Sequence, residues 1–282
     1  MKIDSLFNSA CEKLREASVE NYRNEARWIF ESVFDKGREL LLFGGASEAD
    51  DAKAEEFLGK IIERASGRPL QYVIGSWDFY GETFNVGEGV LIPRPETELL
   101  VDFALDFLKG KKNPVIFDLC SGSGCIGLSV AKAIPDSKVY LLEKSPEAFR
   151  YLESNKRRLS ADNAELINGD LFDGFSSSEL PAPDLILSNP PYIESSVVPT
   201  LMNEVLREPT MALDGGEDGY DFYRAIASNW LPSCKGAVAV ECGEGQAKVI
   251  ADMFSAHCAE TGVIPDFNMI DRVVYGFITK GN

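Results

Sequence analysis

Val115-Ile116-Phe117-Asp118-Leu119 is an apolar, β-branched and aromatic run broken by one acid, and it leads without a gap into Cys120-Ser121-Gly122-Ser123-Gly124. A helical pattern, Cys125 to Ala133, follows at once. Buried strand, glycine loop and helix in that order build the nucleotide-type site of an open α/β sheet, and few other folds accept the combination. The chain beyond keeps the alternation: strand Lys138 to Leu142, helix Pro146 to Leu159, strands Glu165 to Asn168 and Asp184 to Ser188, helix Phe222 to Trp230, strand Ala237 to Glu241, helix Gln246 to Ala256. Strands alternating with helices predict a parallel sheet covered on both faces. Two extended runs, Asp266 to Ile270 and Arg272 to Ile278, then predict a terminal antiparallel hairpin.

Gly122, Gly124 and Gly127 formally spell the dinucleotide fingerprint, and Glu143 lies about 20 residues on, where a ribose-binding acid is expected. Asp118 argues against a dinucleotide. Just before the loop, its charge would oppose a pyrophosphate and favour an ammonium, such as the amino-acid end of S-adenosylmethionine. As a helix cap or a brace for the loop, the same acid would serve structure alone.

Asn189-Pro190-Pro191-Tyr192 follows the strand Asp184 to Ser188, at the sheet end where such folds present their chemistry. An asparagine side chain offers an acceptor and two donors, and the two prolines fix the backbone outside a helix. Asn189 and the Pro190 carbonyl can together hold a planar NH2 group by both hydrogens while the Tyr192 ring covers its flat face. This suits methyl transfer to an amide or exocyclic amine; a proline-rich turn closing a strand is the plainer alternative.

Composition narrows the partners. The 282 residues carry 28 basic and 45 acidic side chains, a net charge of −17 that opposes non-specific binding to a phosphate backbone. Lys156-Arg157-Arg158 is the nearest basic patch and reads as the solvated end of a helix. Six cysteines without a C-x-x-C spacing and a single histidine, His257, supply neither a zinc site nor a disulfide framework, so reduced thiols and no metal are expected. The N-terminus lacks a signal-peptide core and no run reaches the ~18 apolar residues of a membrane span, which predicts a cytoplasmic protein.

Residues 1–72 read as a small helical bundle, with Ala26, Ile29, Phe30, Val33 and Phe34 on one stripe and Phe57, Leu58, Ile61, Ile62 and Ala65 on another. Ser47 can cap the last helix, and Gly67 with Pro69 can end it. Residues 73–93 form a structured linker, a hairpin expected to run from Tyr72 to Val86. The larger domain, 94–282, opens on a helix begun by Pro95, with Leu99, Phe103 and Phe107 expected to face the core.

Five stretches together resemble the HemK/PrmC-type release-factor glutamine methyltransferases: Gly67 to Tyr72, Leu91-Ile92-Pro93-Arg94-Pro95-Glu96-Thr97-Glu98, Asp118 to Gly124, Asn189 to Tyr192, and Gly215-Gly216-Glu217-Asp218-Gly219 continuing to Arg224. The glycine loop and the Asn-Pro-Pro-Tyr element are common to many amino methyltransferases; the arginine-proline-glutamate stretch and the Gly215 to Gly219 loop are more specific. The resemblance implies a Rossmann-like class I methyltransferase sheet behind an N-terminal substrate-recognition bundle. It implies methyl transfer from S-adenosylmethionine, leaving S-adenosylhomocysteine, to the glutamine side chain in the Gly-Gly-Gln loop of class 1 peptide chain release factors, by a monomer that touches neither membrane nor nucleic acid. Carried over by position, Cys120, Ser121, Gly122, Ser123 and Gly124 would wrap the methionine part of the donor with Asp118 beneath. Glu143 would take the ribose hydroxyls, Asp170 and Leu171 would flank the adenine, and Asn189, Pro190, Pro191 and Tyr192 would hold the glutamine, with Arg94 and Glu96 at the site edge. Two positions depart from the family pattern: Cys120 stands where glycine is common, and Leu171 where an aromatic is frequent. Rival readings are a glutamine methyltransferase acting on a ribosomal protein, an adenine amino-methyltransferase acting on nucleic acid, and a non-catalytic cofactor-binding scaffold.

Overall fold

The computed structural model describes residues 1–175 and 180–278. The chain divides into two compact units, Met1–Ser76 joined by the distant segment Met202–Arg207, and Trp77–Leu201 joined by the residues from Glu208 onward.

The first unit is helical: α1 (Ile3–Glu16), α2 (Tyr22–Val33), α3 (Gly37–Phe43), α4 (Asp51–Ala65) and α5 (Leu70–Ile74). Its core centres on Phe30, stacked on Phe34 at 4.2 Å and edge-on to Phe57 at 5.3 Å. Ala26, Ile29, Phe57 and Ile61 are buried as their periodicity predicts, whereas Ile62 is exposed. Arg64 is buried in α4 because two carboxylates compensate its charge: Nε donates to Glu25 at 2.5 Å and Nη2 to Glu204 at 2.7 Å. The cap of α4 is Asp50, whose Oδ1 accepts from Lys53 N at 3.0 Å, and not Ser47, which lies in the preceding turn too far upstream to reach the first free amides. Tyr72 and Val73 also depart from expectation. They are helical in α5, which Gly75 ends at φ +88°, so the hairpin begins at Ser76 rather than at Tyr72.

The hairpin β1 (Ser76–Phe79) and β2 (Glu82–Asn85), all but Ser76 in the second unit, precedes a 3₁₀ turn, Pro95–Thr97, and α6 (Glu98–Leu108). Alternating elements follow: β3 (Val115–Leu119), α7 (Cys125–Ala133), β4 (Lys138–Glu143), α8 (Pro146–Leu159), β5 (Ala164–Asn168), β6 (Leu185–Ser188), α9 (Asp221–Ala225), β7 (Ala237–Glu241), α10 (Ala247–Phe254), β8 (Cys258–Pro265) and β9 (Asp271–Ile278). Between α9 and β7 a π-helical turn spans Ile226–Trp230.

The seven strands form one sheet in the order β5-β4-β3-β6-β7-β9-β8, parallel throughout except that β9 runs antiparallel to both of its neighbours. Strand order reverses at β3, which has β4 on one side and β6 on the other, and an open α/β sheet leaves its crevice above such a point. Covering both faces requires the central strands to be buried throughout, as the four residues of β6 and the five of β7 are.

The terminal hairpin is present with a different first strand. Asp266 to Ile270 is the turn, not the strand: Asp266 Oδ1 accepts from Asn268 N at 2.8 Å and from Ile270 N at 3.0 Å, which closes the chain on itself, and the strand is Cys258–Pro265. The core face of α6 is Leu100, Val101, Ala104 and Leu108. Phe103 and Phe107 are half-buried on its flank, 5.2 Å from the Tyr275 ring and 5.8 Å from the Phe277 ring respectively, because a period of 3.6 carries a strict four-residue repeat off the buried stripe.

Candidate active site

The carboxyl ends of β3, β4, β5 and β6 surround an open cleft of about 1020 Å³, solvent at its mouth included. Each end contributes a polar group because the sheet interior accepts only apolar side chains and the first polar residues fall where the strands stop. Cys120, Ser121, Gly122 and Ser123 line the cleft, as do Glu143, Asp170, Leu171, Asn189, Pro191 and Arg94. Asp118, Gly124, Glu96, Pro190 and Tyr192 do not reach its wall.

The loop after β3 is held from below and from the side. Asp118 is buried in β3, and its Oδ2 accepts from Gly127 N at 2.9 Å, while Oδ1 has no partner. Burial raises this carboxyl to about 7, against the pull of the Gly127 amide. The brace foreseen as an alternative is thus the arrangement observed. Ser121 Oγ donates to the Asp118 carbonyl at 2.7 Å, and Asn155, buried in α8, donates to the Ser123 carbonyl at 2.9 Å. Gly124 and Gly127 are required by close packing, since a Cβ would lie 2.4 Å from Leu152 Cδ1 at the first and 2.7 Å from Leu141 Cδ2 at the second. Cys120 adopts φ +60°, a left-handed conformation that explains why glycine suits this position.

Glu143, at the end of β4, accepts from Gly122 N through Oε2 and from Ser145 N through Oε1, both at 2.7 Å. Burial raises its pKa while those amides lower it. Each oxygen keeps a further lone pair for a hydroxyl. Asp170 caps a 3₁₀ turn and pairs with Lys144 at 2.6 Å. Leu171 is buried, and the aromatic surface beside it comes from its neighbour Phe172, whose ring lies 5.0 Å from that of Phe222 in the same cleft.

Asn189 stands at the end of β6. Its Nδ2 donates to Thr97 Oγ1 at 3.1 Å, and Thr97 Oγ1 donates to Glu241 Oε2 at 2.5 Å. Glu241 ends β7 and is raised to about 7 by burial, against the Thr97 hydrogen bond. Tyr192 leaves the cleft and is pressed between glycines: a Cβ on Gly215 would lie 2.7 Å from Tyr192 Cα, and one on Gly219 2.5 Å from its carbonyl oxygen. Gln246 fastens the same carbonyl through Nε2 at 3.0 Å. The Gly215 to Gly219 loop therefore fixes the exit of the Asn-Pro-Pro-Tyr turn, with a parallel bridge between Ile193 and Asp214. Arg94 is paired with buried Glu208, which also accepts from Ile92 N at 3.0 Å, so both side chains shape the loop on the cleft's rim.

Residues 5–75 match the family described as PrmC N-terminal domain, and residues 97–218 the Methyltransferase small domain. A release factor glutamine methyltransferase of Clostridium acetobutylicum is 34% identical over 284 residues, covering 97% of this chain and 98% of the relative. One from Geobacter sulfurreducens is 37% identical over 270 residues, covering 94% and 93%. The chain belongs to the release factor glutamine methyltransferase family.

As a member it is an S-adenosylmethionine-dependent methyltransferase of the protein-(glutamine-N5) class. Solved structures agree on the fold alone. The catalytic domain of hMettl16 is 13% identical with a TM-score of 0.56 over 82% of this chain and 85% of that one; RsmC of T. thermophilus, solved with AdoMet and guanosine, is 16% identical with 0.53 over 72% and 50%. Among the described residues no group of three or more His, Cys, Asp or Glu could hold a metal ion, and no helix is long and apolar enough to cross a membrane.

In this family member, sequence reading missed the part played by Thr97 and Glu241. Thr97 lies inside the quoted stretch Leu91 to Glu98, and Glu241 is the one acid closing a wholly apolar buried strand, the same signal that drew attention to Asp118 and Glu143.

Proposed function

We propose that this enzyme methylates the side-chain amide nitrogen of the glutamine in the Gly-Gly-Gln loop of class 1 peptide chain release factors, as a cytoplasmic monomer. One observation carries the reading: Asn189 directs its NH2 side to Thr97, so its carbonyl oxygen stays available to accept a substrate N–H. The donor set fits S-adenosylmethionine as well. Glu143 keeps lone pairs for ribose hydroxyls, and Gly122, with φ +56° and only Val90 Cγ2 within 4.0 Å of an added Cβ, leaves the loop open where the donor's backbone-like end would lie. When bound, S-adenosylmethionine supplies an electrophilic methyl on a sulfonium centre.

An amide nitrogen is a poor nucleophile because its lone pair is delocalised into the carbonyl. Asn189 Oδ1 accepts one of its hydrogens, which raises electron density on nitrogen and aims it. Such orientation and electrostatic effects usually dominate barriers of this kind. Tyr192 keeps its proton, burial pushing its phenol far above the ordinary range, so it anchors the turn behind Asn189 and does not act as a base. One N–H proton passes to solvent at the open mouth of the cleft after the methyl has been added, when the alkylated amide is strongly acidic.

Incubation with labelled methyl donor and intact release factor, followed by mass spectrometry, should place the label on the Gly-Gly-Gln glutamine. A Gln→Glu release factor should stay unlabelled. Label on a ribosomal-protein glutamine, or on an adenine amino group of nucleic acid, with none on the release factor, would overturn the assignment.

A further inference from the structure

A buried hydrogen-bond chain runs from the end of β7 to the group that would meet the substrate. Glu241 and Thr97 are 3% and 1% exposed, and Glu241 Oε2, Thr97 Oγ1 and Asn189 Nδ2 follow one another at 2.5 and 3.1 Å. A hydroxyl has one hydrogen, so Thr97 can donate to only one neighbour at a time. An ionised Glu241 can only accept. It claims the Thr97 hydrogen, and what Thr97 then shows Asn189 is a lone pair, which only the NH2 side of the Asn189 amide can meet. The Asn189 carbonyl is left facing the cleft. A protonated Glu241 can instead donate to Thr97, whose hydrogen is then free to turn towards Asn189. The amide would meet it with its oxygen and present NH2 to the cleft, and an NH2 group cannot accept a substrate N–H.

We propose that Thr97 and Glu241 are positioning residues that decide which side of the Asn189 amide faces the substrate, the ionised carboxylate selecting the acceptor side. The inference rests on the proposed role of Asn189 as an acceptor for an amide N–H.

The surroundings make Glu241 the member of the chain that changes charge near neutrality. Arg272 from β9 and Arg94 favour its ionised form, and Glu96 opposes it. Tyr192, Tyr223, Cys125 and Cys242 lie close enough to feel its charge, and burial raises all four, so they stay neutral over the working range. Burial outweighs the rest and brings Glu241 to about 7, so the acceptor orientation is lost as the pH falls below neutrality.

The test is steady-state methylation of intact release factor by the full chain between about pH 5.5 and 8.5. Thr97→Val keeps the shape and removes the hydroxyl; it should lower kcat about tenfold or more with KM within about twofold, an effect of misorientation. Thr97→Ser should return kcat to within about threefold of wild type. In an Asn189→Ala background Thr97→Val should cost nothing more, because Thr97 acts through Asn189. The wild-type profile should have an acid limb near 7 that is missing in Glu241→Gln. Binding of S-adenosylhomocysteine and the thermal transition report on the fold of each variant. An independent readout needs no substrate: the ¹⁵N side-chain amide resonance of Asn189, identified by its loss in Asn189→Ala, should shift with the same midpoint in wild type and hold still in Glu241→Gln. A wild-type kcat in Thr97→Val, failure of Thr97→Ser to rescue, an acid limb retained in Glu241→Gln, or a resonance indifferent to pH would each overturn the proposal. If the wild-type enzyme leaves the release-factor glutamine unmodified, the substrate assignment falls by itself, and the resonance still decides the hydrogen-bond chain.

Discussion

Two residues, one in the loop after β3 and one in β3 itself, carry costs that the protein keeps. Cys120 sits at φ +60°, where an L-residue is disfavoured by about 1–2 kcal/mol. A β-branched side chain tolerates that conformation least, so Cys120→Val is expected to lower unfolding stability by about 1–2 kcal/mol relative to Cys120→Gly, read from urea midpoints. Asp118 is the second. Its folded pKa, about 7, lies above the ~3.9 of an unfolded aspartate, so folding favours the protonated acid. The stabilisation is complete below about pH 4 and is lost as the pH rises through 7. Asp118→Asn cannot lose it, and its stability relative to wild type should therefore increase between pH 5 and pH 8. A difference that is flat over that interval would mean that the carboxyl ionises as freely in the folded chain as in the unfolded one.

At the scale of elements, the Asn-Pro-Pro-Tyr turn owes its position to backbone packed on backbone. Gly215→Ala would place a methyl 2.7 Å from Tyr192 Cα and 2.8 Å from the Pro191 carbonyl, neither of which can swing away. Turnover is expected to fall about tenfold or more while S-adenosylhomocysteine binds within about threefold of wild type, since the loop after β3 and Glu143 are untouched. Calorimetry and initial rates would separate the two. This dependence was only half legible in the sequence. Gly215 to Gly219 could be matched to a family, but the reason for two glycines there is contact with a turn reached from another strand, which spacing does not reveal. The parallel sheet was readable because its central strands are buried on both faces and stand out as apolar runs. The hairpin strand β8 was not. Its burial alternates weakly along Cys258–Pro265, and the more apolar-looking Asp266 to Ile270 proved to be a turn because one aspartate side chain takes two downstream amides. Thr97 and Glu241 escaped notice for a related reason: a hydrogen-bond chain linking a 3₁₀ turn, β7 and β6 depends on the sheet order that brings those segments together.

For the whole molecule, the helical unit holds none of the residues lining the cleft, which all belong to the second unit. We expect it to recognise the protein substrate. A chain lacking residues 1–76 should still bind S-adenosylhomocysteine in calorimetry and should lose most methylation of intact release factor. Undiminished modification of the intact factor would assign the bundle another purpose. The net charge of −17 gives the molecule a long-range attraction for a basic partner surface that salt should weaken.

The six residues Met202–Arg207 give that unit a property a simple N-terminal appendage lacks. Glu204 supplies half of the negative charge that makes burial of Arg64 tolerable, so the bundle's interior is encoded in two places more than a hundred positions apart. Its inheritance is therefore not modular. A chimera that takes residues 1–76 from one relative and the remainder from another would combine an arginine with a carboxylate that was never matched to it. Recombination between such genes should succeed only where both pieces travel together, and the helical unit should diverge in step with this short stretch of the larger one.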